Sequence, residues 1–379
     1  MKLARNAQTL AEIADLVEYA FDKPQSLLND SLFLTRYDHA DAYGVRQENK
    51  LTNLVMANHF ESQFFQQRLK MAGVGYVASY PEYRGKGQIS NIMTELLSDL
   101  YAQGVAISQL APFSAAFYRQ FGYEFTSHQK TYRISAQAFT NLTSECNGTI
   151  KRGSWHQLKP TICSLYQKLL PGQVGTVVRE AWWWERLDKY YDRRFYAVAF
   201  NDANVAKGYL IYRMQGATFV IDEFAYEDDF AVRKLLTYVK AHISSFKEIV
   251  YHGPANEILE HYFSEQQELS CTLSPYMMSR IIDIEQLFTH ILLDQAKIVL
   301  EVTEDEQCPW NIGSWQLEQG TCKKVDQPGE LKASIQSWSE LLLGDLTLAE
   351  GLFLGKVTAT KKFETEIFPK GQQRFYDYF

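Results

Sequence analysis

One stretch, Val77-Ala78-Ser79-Tyr80-Pro81-Glu82-Tyr83-Arg84-Gly85-Lys86-Gly87-Gln88-Ile89, restricts what this chain can fold into more than any other. Residues 74–80 read as a strand, and Pro81 marks its end because proline lacks the N–H that a ladder needs. Two glycines follow. Then Ile89, Ile92, Met93, Leu96, Leu97 and Leu100 recur at the spacing of an amphipathic helix, with Gly104 placed as its C-terminal stop. Strand, glycine loop and helix in that order belong to an α/β architecture.

The same loop carries chemistry. A helix N-terminus offers free N–H groups and a partial positive charge, and both suit a pyrophosphate. Gly85 and Gly87 allow unusual backbone angles and close approach of an anion, while Arg84 and Lys86 add charge. The loop contains neither a GxxxxGK[ST] run nor a GxGxxG run, so it is not a Walker loop or a dinucleotide fingerprint. The competing reading is a plain solvated turn with two glycines.

Helix and strand alternate along the first part of the chain. Ile13, Leu16, Val17, Ala20 and Phe21 have helical spacing, residues 22–30 read as a polar loop, and residues 51–60 and 105–110 read as strands. A short helix at 114–120 leads into a strand beginning at Tyr123. A polar, turn-rich segment at 140–153 is the first boundary. The second part repeats the first in outline, with helices at 162–170 and 181–187, strands at 195–200, 206–213 and 218–225, a helix from Val232 to Ile243 and a strand at 249–252. The third begins near Ile284, with strands at 296–303 and 313–317, a helix at 335–342 and an apolar segment at 346–355. The last five residues hold four aromatics, Phe375, Tyr376, Tyr378 and Phe379, so the terminus is expected to be buried against another domain.

Bulk properties narrow the function. The 379 residues allow two or three domains. A net charge of −7 with no basic stripe argues against nucleic acid. The five cysteines are irregularly spaced without a CxxC, and the eight histidines show no ligand spacing, so neither a disulfide framework nor a metal site is expected. No run of about 18 apolar residues is present, so no membrane span and a cytoplasmic location are expected.

The loop resembles that of the GNAT acetyltransferase superfamily, Arg/Gln-x-x-Gly-x-Gly/Ala: Arg84 and Gly87 match, and Ile89 stands at the last position, as in the Eis-like (enhanced intracellular survival) subfamily. The resemblance covers essentially the full length. It implies an α/β (α+β) fold of two tandem GNAT-like mixed-sheet domains, catalytic at 1–140 and degenerate at 141–283, then a sterol-carrier-protein-like α/β domain at 284–379. It implies acetyl-CoA as co-substrate, no metal, and a cofactor site at Val77, Ala78, Ser79, Arg84, Gly85, Lys86, Gly87, Gln88 and Ile89, with the strand backbone at Val77 and Ser79 pairing with the pantetheine arm. The implied acceptors are polyamines, aminoglycoside-like polycations or protein lysines, and the implied assembly is a homo-oligomer such as a hexamer.

Acetyl transfer from a thioester to an amine needs an acid for the departing thiolate, and a positioned tyrosine can supply it. Pro112-Phe113-Ser114-Ala115-Ala116-Phe117-Tyr118-Arg119-Gln120-Phe121-Gly122-Tyr123 resembles the GNAT helix-turn that carries this tyrosine, which makes Tyr118 the candidate; the alternative is that Tyr118 is one more packed aromatic. The resemblance also brings the carboxylate of Phe379 to the active site, as base or as orienter of a cationic amine, against the alternative that the terminus only packs. Asp22 and Asp30 are candidate cation contacts or simply solvated loop acids. After the strand at 219–225, Glu227, Asp228 and Asp229 stand where the first domain has Arg84, Gly85 and Lys86, so one cofactor site per chain is expected. Trp182, Trp183 and Trp184 are expected to pack between domains. A non-catalytic acyl-CoA-binding protein and a lipid carrier acting through the third domain are the alternative functions.

Overall fold

Asn6 starts the first helix. Its Oδ1 accepts the Thr9 N–H at 2.8 Å, and Ile13, Leu16 and Val17 of α1 (Ala7–Ala20) turn inward. In this computed structural model, which describes residues 1–379 apart from 292, 294–296, 319 and 364–365, the chain forms two units. The first comprises Met1–Thr126, Tyr276–Gly371 and Tyr378–Phe379, and the second Ser127–Pro275 with Gln372–Asp377.

The first unit continues with α2 (Ser31–Asp38), β1 (Ala40–Gln47), β2 (Lys50–Phe65), β3 (Gln67–Ser79), α3 (Gln88–Ala102), β4 (Ile107–Leu110), α4 (Ala115–Arg119) and the first residues of β5 (Glu124–Ser135). Helix α2 and strand β1 were not legible in the sequence. Asp30, expected in a loop, caps α2 by accepting the Leu32 N–H at 2.8 Å. The helix is one of eight residues that buries Phe33, Arg36 and Tyr37, and a buried arginine among polar residues hides the apolar stripe.

The second unit holds β6 (Thr149–Gly153), α5 (Trp155–Leu169), β7 (Gln173–Val178), α6 (Ala181–Lys189), β8 (Phe195–Phe200), β9 (Ala206–Gln215), β10 (Thr218–Tyr226), α7 (Asp229–Lys240), β11 (Glu248–Pro254) and the start of β12 (Leu269–Ile281). Its sheet runs β5-β11-β10-β9-β8-β6. The two-residue alternation of β8 sorts its faces: Tyr196, Val198 and Phe200 pack with Trp155, Ile162 and Trp184 of α5 and α6, while Ala197 and Ala199 pack with Val232, Leu235 and Val239 of α7. Trp183 and Trp184 therefore pack inside this unit, where Trp183 Nε1 donates to Asp377 Oδ1 at 2.6 Å.

The last residues of β12 return to the first unit and pair antiparallel with β4, from Met278 opposite Leu110 to Ile281 opposite Ile107. The order β1-β2-β3-β4-β12 makes a mixed sheet, because β3 and β4 run parallel and every other neighbour antiparallel. Then come α8 (Ile284–His290), β13 (Lys297–Val302), β14 (Gly313–Glu318), β15 (Thr321–Val325), β16 (Leu331–Ala333), α9 (Ile335–Leu343), α10 (Leu348–Phe353) and β17 (Val357–Ala359). Their five strands form a second sheet, β15-β14-β13-β16-β17. The expected strand at 296–303 is β13; Ala296 lies outside the described residues.

A buried charge ties these parts of the first unit together. Arg280 of β12 donates from Nη2 to both Asp305 oxygens, at 2.8 and 3.0 Å, and from Nη1 to the Phe121 carbonyl at 2.5 Å. Removing one partner of such a pair strands a buried charge at a cost of about 3–5 kcal/mol, whereas an apolar pair of similar volume is tolerated. Arg280→Gln should therefore lower the urea stability of the protein by about that amount, and Arg280→Met combined with Asp305→Leu should recover most of it.

Candidate active site

The site is built where β3 loses a neighbour. β3 pairs with β4 from Met71 opposite Ile107 to Val74 opposite Leu110, and there the parallel pairing ends. On its other edge β3 stays paired with β2, but with a register shift between Leu54 and Met56. The extra residue of this bulge is accompanied by a left-handed Tyr76, with φ 48°. The bulge restores the facing of the strand: Val74 and Val77 both pack with α3, while Gly73, Gly75 and Tyr76 serve the opposite face. Ala78 packs in the cluster with α1, so only its backbone is available to the site.

After Pro81 the loop is open. Gly85 and Gly87 have φ 71° and 73°, and no atom lies within 4 Å of where a Cβ would stand on either. Gly87 is the N-cap of α3 with no side-chain cap, so the first N–H groups of the helix face outward unsatisfied by a side chain. Arg84 is exposed and donates from Nε to the Ser79 carbonyl at 3.3 Å, and Lys86 Nζ lies 5.1 Å from the Tyr83 ring centre. Gln88 and Ile89, half-buried, open the helix, and Ile89 packs in the same cluster as Val77 and Tyr118. This arrangement fits a pyrophosphate on the α3 N-terminus.

Tyr118 sits on α4, which Ser114 caps by accepting the Phe117 N–H at 3.3 Å. The ring is 2% exposed, with Phe113 and Phe117 each 5.2 Å away. The turn that follows is fixed by Gly122, at φ 80°, where a Cβ would come within 2.9 Å of Arg280 Nη1. Tyr123 spends its hydroxyl on Ser108 Oγ at 2.6 Å; among the described residues the Tyr118 hydroxyl makes no hydrogen bond. Burial pushes the Tyr118 phenol well above its ordinary range, and the neighbouring Tyr123 and Tyr378 phenols push the same way.

On the other face of β3 lies the chain end. Phe379 is 5% exposed and its ring stacks on Phe60 at 5.3 Å, against Gly73. Tyr378 before it is 59% exposed. The structure thus gathers Val77, Ile89 and Tyr118 on one side of β3 and Phe379 on the other, with the loop 84–87 beyond the strand end. Arg36 and Arg280 escaped the sequence reading. Arg280 had a visible signal, a lone arginine in the run Met277-Met278-Ser279-Arg280-Ile281-Ile282. Arg36, in an unnoticed helix, had none.

An acetyltransferase (GNAT) domain profile matches residues 4–126, a second GNAT domain profile matches 175–281, and a sterol carrier protein domain profile matches 285–375. The chain belongs to the GNAT acetyltransferases. A crystal structure of a conserved protein from Enterococcus faecalis, described as a probable N-acyltransferase, is 34% identical, covers 100% of this chain and 99% of its own, and superposes with a TM-score of 0.91. Eis1 from Mycobacterium abscessus shares the fold over 100% of this chain and 99% of its own at TM-score 0.83 and 17% identity. An N-acetyltransferase of Streptomyces coelicolor, itself uncharacterised, is 23% identical over 316 residues, which is 76% of this chain and 75% of that one. The chain is thus a GNAT-type N-acetyltransferase in the Eis-like arrangement, two GNAT domains followed by a sterol-carrier-protein-like domain. Among the described residues no helix is long and apolar enough to cross a membrane.

The second GNAT domain differs at the matching turn. Asp228 caps α7 by accepting the Ala231 N–H at 3.0 Å, Asp229 follows in the first turn, and Glu227 pairs with Lys168 and Lys207. A capped, acidic helix start repels phosphate. In the first domain the raised phenol has a direct consequence. Tyr118 should remain protonated past pH 10, since a group whose folded pKa is raised keeps its proton above its ordinary value. A titration of ring-labelled tyrosine by NMR should find the Tyr118 signal still unmoved at pH 10.

Proposed function

We propose that this enzyme transfers acetyl from acetyl-CoA to a primary amine of a polycationic small molecule (an aminoglycoside-like compound or a polyamine) or of a lysine, with Tyr118 as general acid and the Phe379 carboxylate beside the amine. The observation that carries the reading is Tyr118: its ring is buried, its phenol is held protonated and, among the described residues, its hydroxyl makes no hydrogen bond, in one cluster with Val77 and Ile89. In this reading residues 1–140 do the chemistry, 141–283 form a degenerate second domain and 284–379 supply the terminus, within a cytoplasmic homo-oligomer such as a hexamer.

Each residue has a task that its surroundings support. The N–H groups of Gln88 and Ile89, with Arg84, Gly85, Lys86 and Gly87, hold the pyrophosphate. The β3 backbone from Val77 through Ala78 to Ser79, with no strand on its β4 side among the described residues, pairs with the pantetheine amides. As the amine nitrogen bonds to the acetyl carbon and the carbon–sulfur bond breaks, Tyr118 gives its proton to the sulfur. A phenol raised by burial is a weaker acid than in water, but the same burial raises the thiol, so the two stay matched. The amine sheds its proton to solvent or to the terminal carboxylate. Asp30 is occupied as the α2 cap, which leaves it a minor role towards a cationic acceptor, although it lines a groove of ≈ 490 Å³ with Lys23, Ser26 and Asn29.

CoA-thiol release from acetyl-CoA should depend on added amine across spermidine, several aminoglycosides and a lysine peptide; release by none of them, with acetyl-CoA still bound, would favour a non-catalytic acyl-CoA-binding role. Tyr118→Phe should lower kcat by roughly 10²–10⁴-fold with acetyl-CoA affinity nearly intact. A parallel loss of binding would make the tyrosine structural.

A further inference from the structure

Arg36 presents a charge inside the first unit that the acetyl transfer as described does not use. It is 6% exposed. Asn58 clamps it from two directions: Oδ1 accepts from Arg36 Nε at 3.0 Å and from Nη2 at 2.9 Å, and Nδ2 donates to the Arg36 carbonyl at 2.8 Å. Tyr76, the left-handed residue of the β3 bulge, lies under the guanidinium at 4.6 Å, and its ring is braced edge-on by Phe21 and Phe33 at 5.8 and 5.6 Å. The group is held rigidly, yet Asn58 and Tyr76 are neutral. A guanidinium taken out of water needs an anion close by.

The chain end brings a carboxylate close to it. A Cβ added at Gly75 would stand 2.5 Å from Arg36 Nη2 and 3.3 Å from the carboxyl carbon of Phe379. The nitrogen and that carbon are therefore no further apart than 2.5 Å plus 3.3 Å. The missing side chain at Gly75 leaves the space they share, and no positive φ at Gly75 calls for glycine there. Gly73 does the same one step back along the face, where a Cβ would meet the Phe379 ring at 2.9 Å.

We propose that Arg36 is a positioning residue that holds the terminal carboxylate of Phe379 ionised and oriented beside β3. This rests on the reading that the carboxylate serves the acceptor amine, and it decides between the two roles left open for it. A carboxylate beside a fixed guanidinium is a poor base. It attracts and orients the cationic amine, and the amine's proton leaves to solvent. Gly75 belongs to the same device, since it lets the two charges approach.

The test joins two changes. One is Arg36→Gln; the other is the full chain ending in a C-terminal amide, made by ligating a synthetic terminal peptide. Kinetics are measured with acetyl-CoA and the preferred amine of the panel above, and acetyl-CoA affinity reports folding. Each change alone should lower kcat/KM on the order of 10²-fold, and the double variant should be no worse than either, because both remove the same oriented carboxylate. Arg36→Lys should restore part of the loss, and Gly75→Ala should repeat it. A ¹³C label at the terminal carboxyl should shift its resonance in Arg36→Gln, which reads the pair without turnover. Losses that multiply in the double variant, or an unmoved resonance, would overturn the role of Arg36. An amide-ended chain as active as the unmodified one would instead sink the carboxylate's part in the reaction, and this inference with it.

Discussion

Parallel pairing between β3 and β4 stops at Val74 and Leu110, and the site is arranged around that parting. An unpaired strand edge is costly when buried, at about 1–3 kcal/mol per unsatisfied group. Here residues 75–77 and 79 are only half-buried, so the exposed ladder groups are tolerable. The bulge at Tyr76 turns the strand at the same point. It keeps Val77 on the α3 side while presenting Gly75 and Tyr76 to the side where Phe379 lies. Tyr118 and the chain end therefore approach one strand from opposite faces.

Two buried arginines hold the parts that flank this opening. Arg280 binds the Phe121 carbonyl and Asp305, which fixes the turn after Tyr118 to β12. Arg36 is gripped by Asn58 and Tyr76 beside Gly75. Buried ion pairs contribute little net stability over an apolar packing of equal volume. Their value in this chain is geometric: a guanidinium with fixed donors accepts few arrangements of its partners, whereas apolar contacts accept many. The glycines at 122 and 75 complete both devices, since a Cβ at either would meet the arginine.

Much was legible in the sequence where local chemistry decides. The loop 84–87 had to be a glycine turn before a helix, and its left-handed Gly85 and Gly87 follow from the absence of a Cβ. Strand β8 begins and ends where its apolar run does. Helix α2 was missed because eight residues with a buried arginine carry no clear period, and β15 because half-exposed polar residues form it. The two compact units were also beyond reach, because residues distant in sequence, such as 1–126 and 276–371, gather in one of them.

The sequence alone determined the α/β alternation and the phosphate-suited loop, because each depends on residues within a dozen positions of one another, and it offered Tyr118 as a candidate through resemblance. It also marked the aromatic terminus as buried, and Phe375 and Phe379 are. Only the tertiary structure decided that, among the described residues, the Tyr118 hydroxyl makes no hydrogen bond while Tyr123, five residues on, spends its own on Ser108. Only the tertiary structure brought Arg36, Gly75 and Phe379 to one spot. Charge and shape at a buried point are set by what long-range packing brings there, and no local pattern in the chain records that sum.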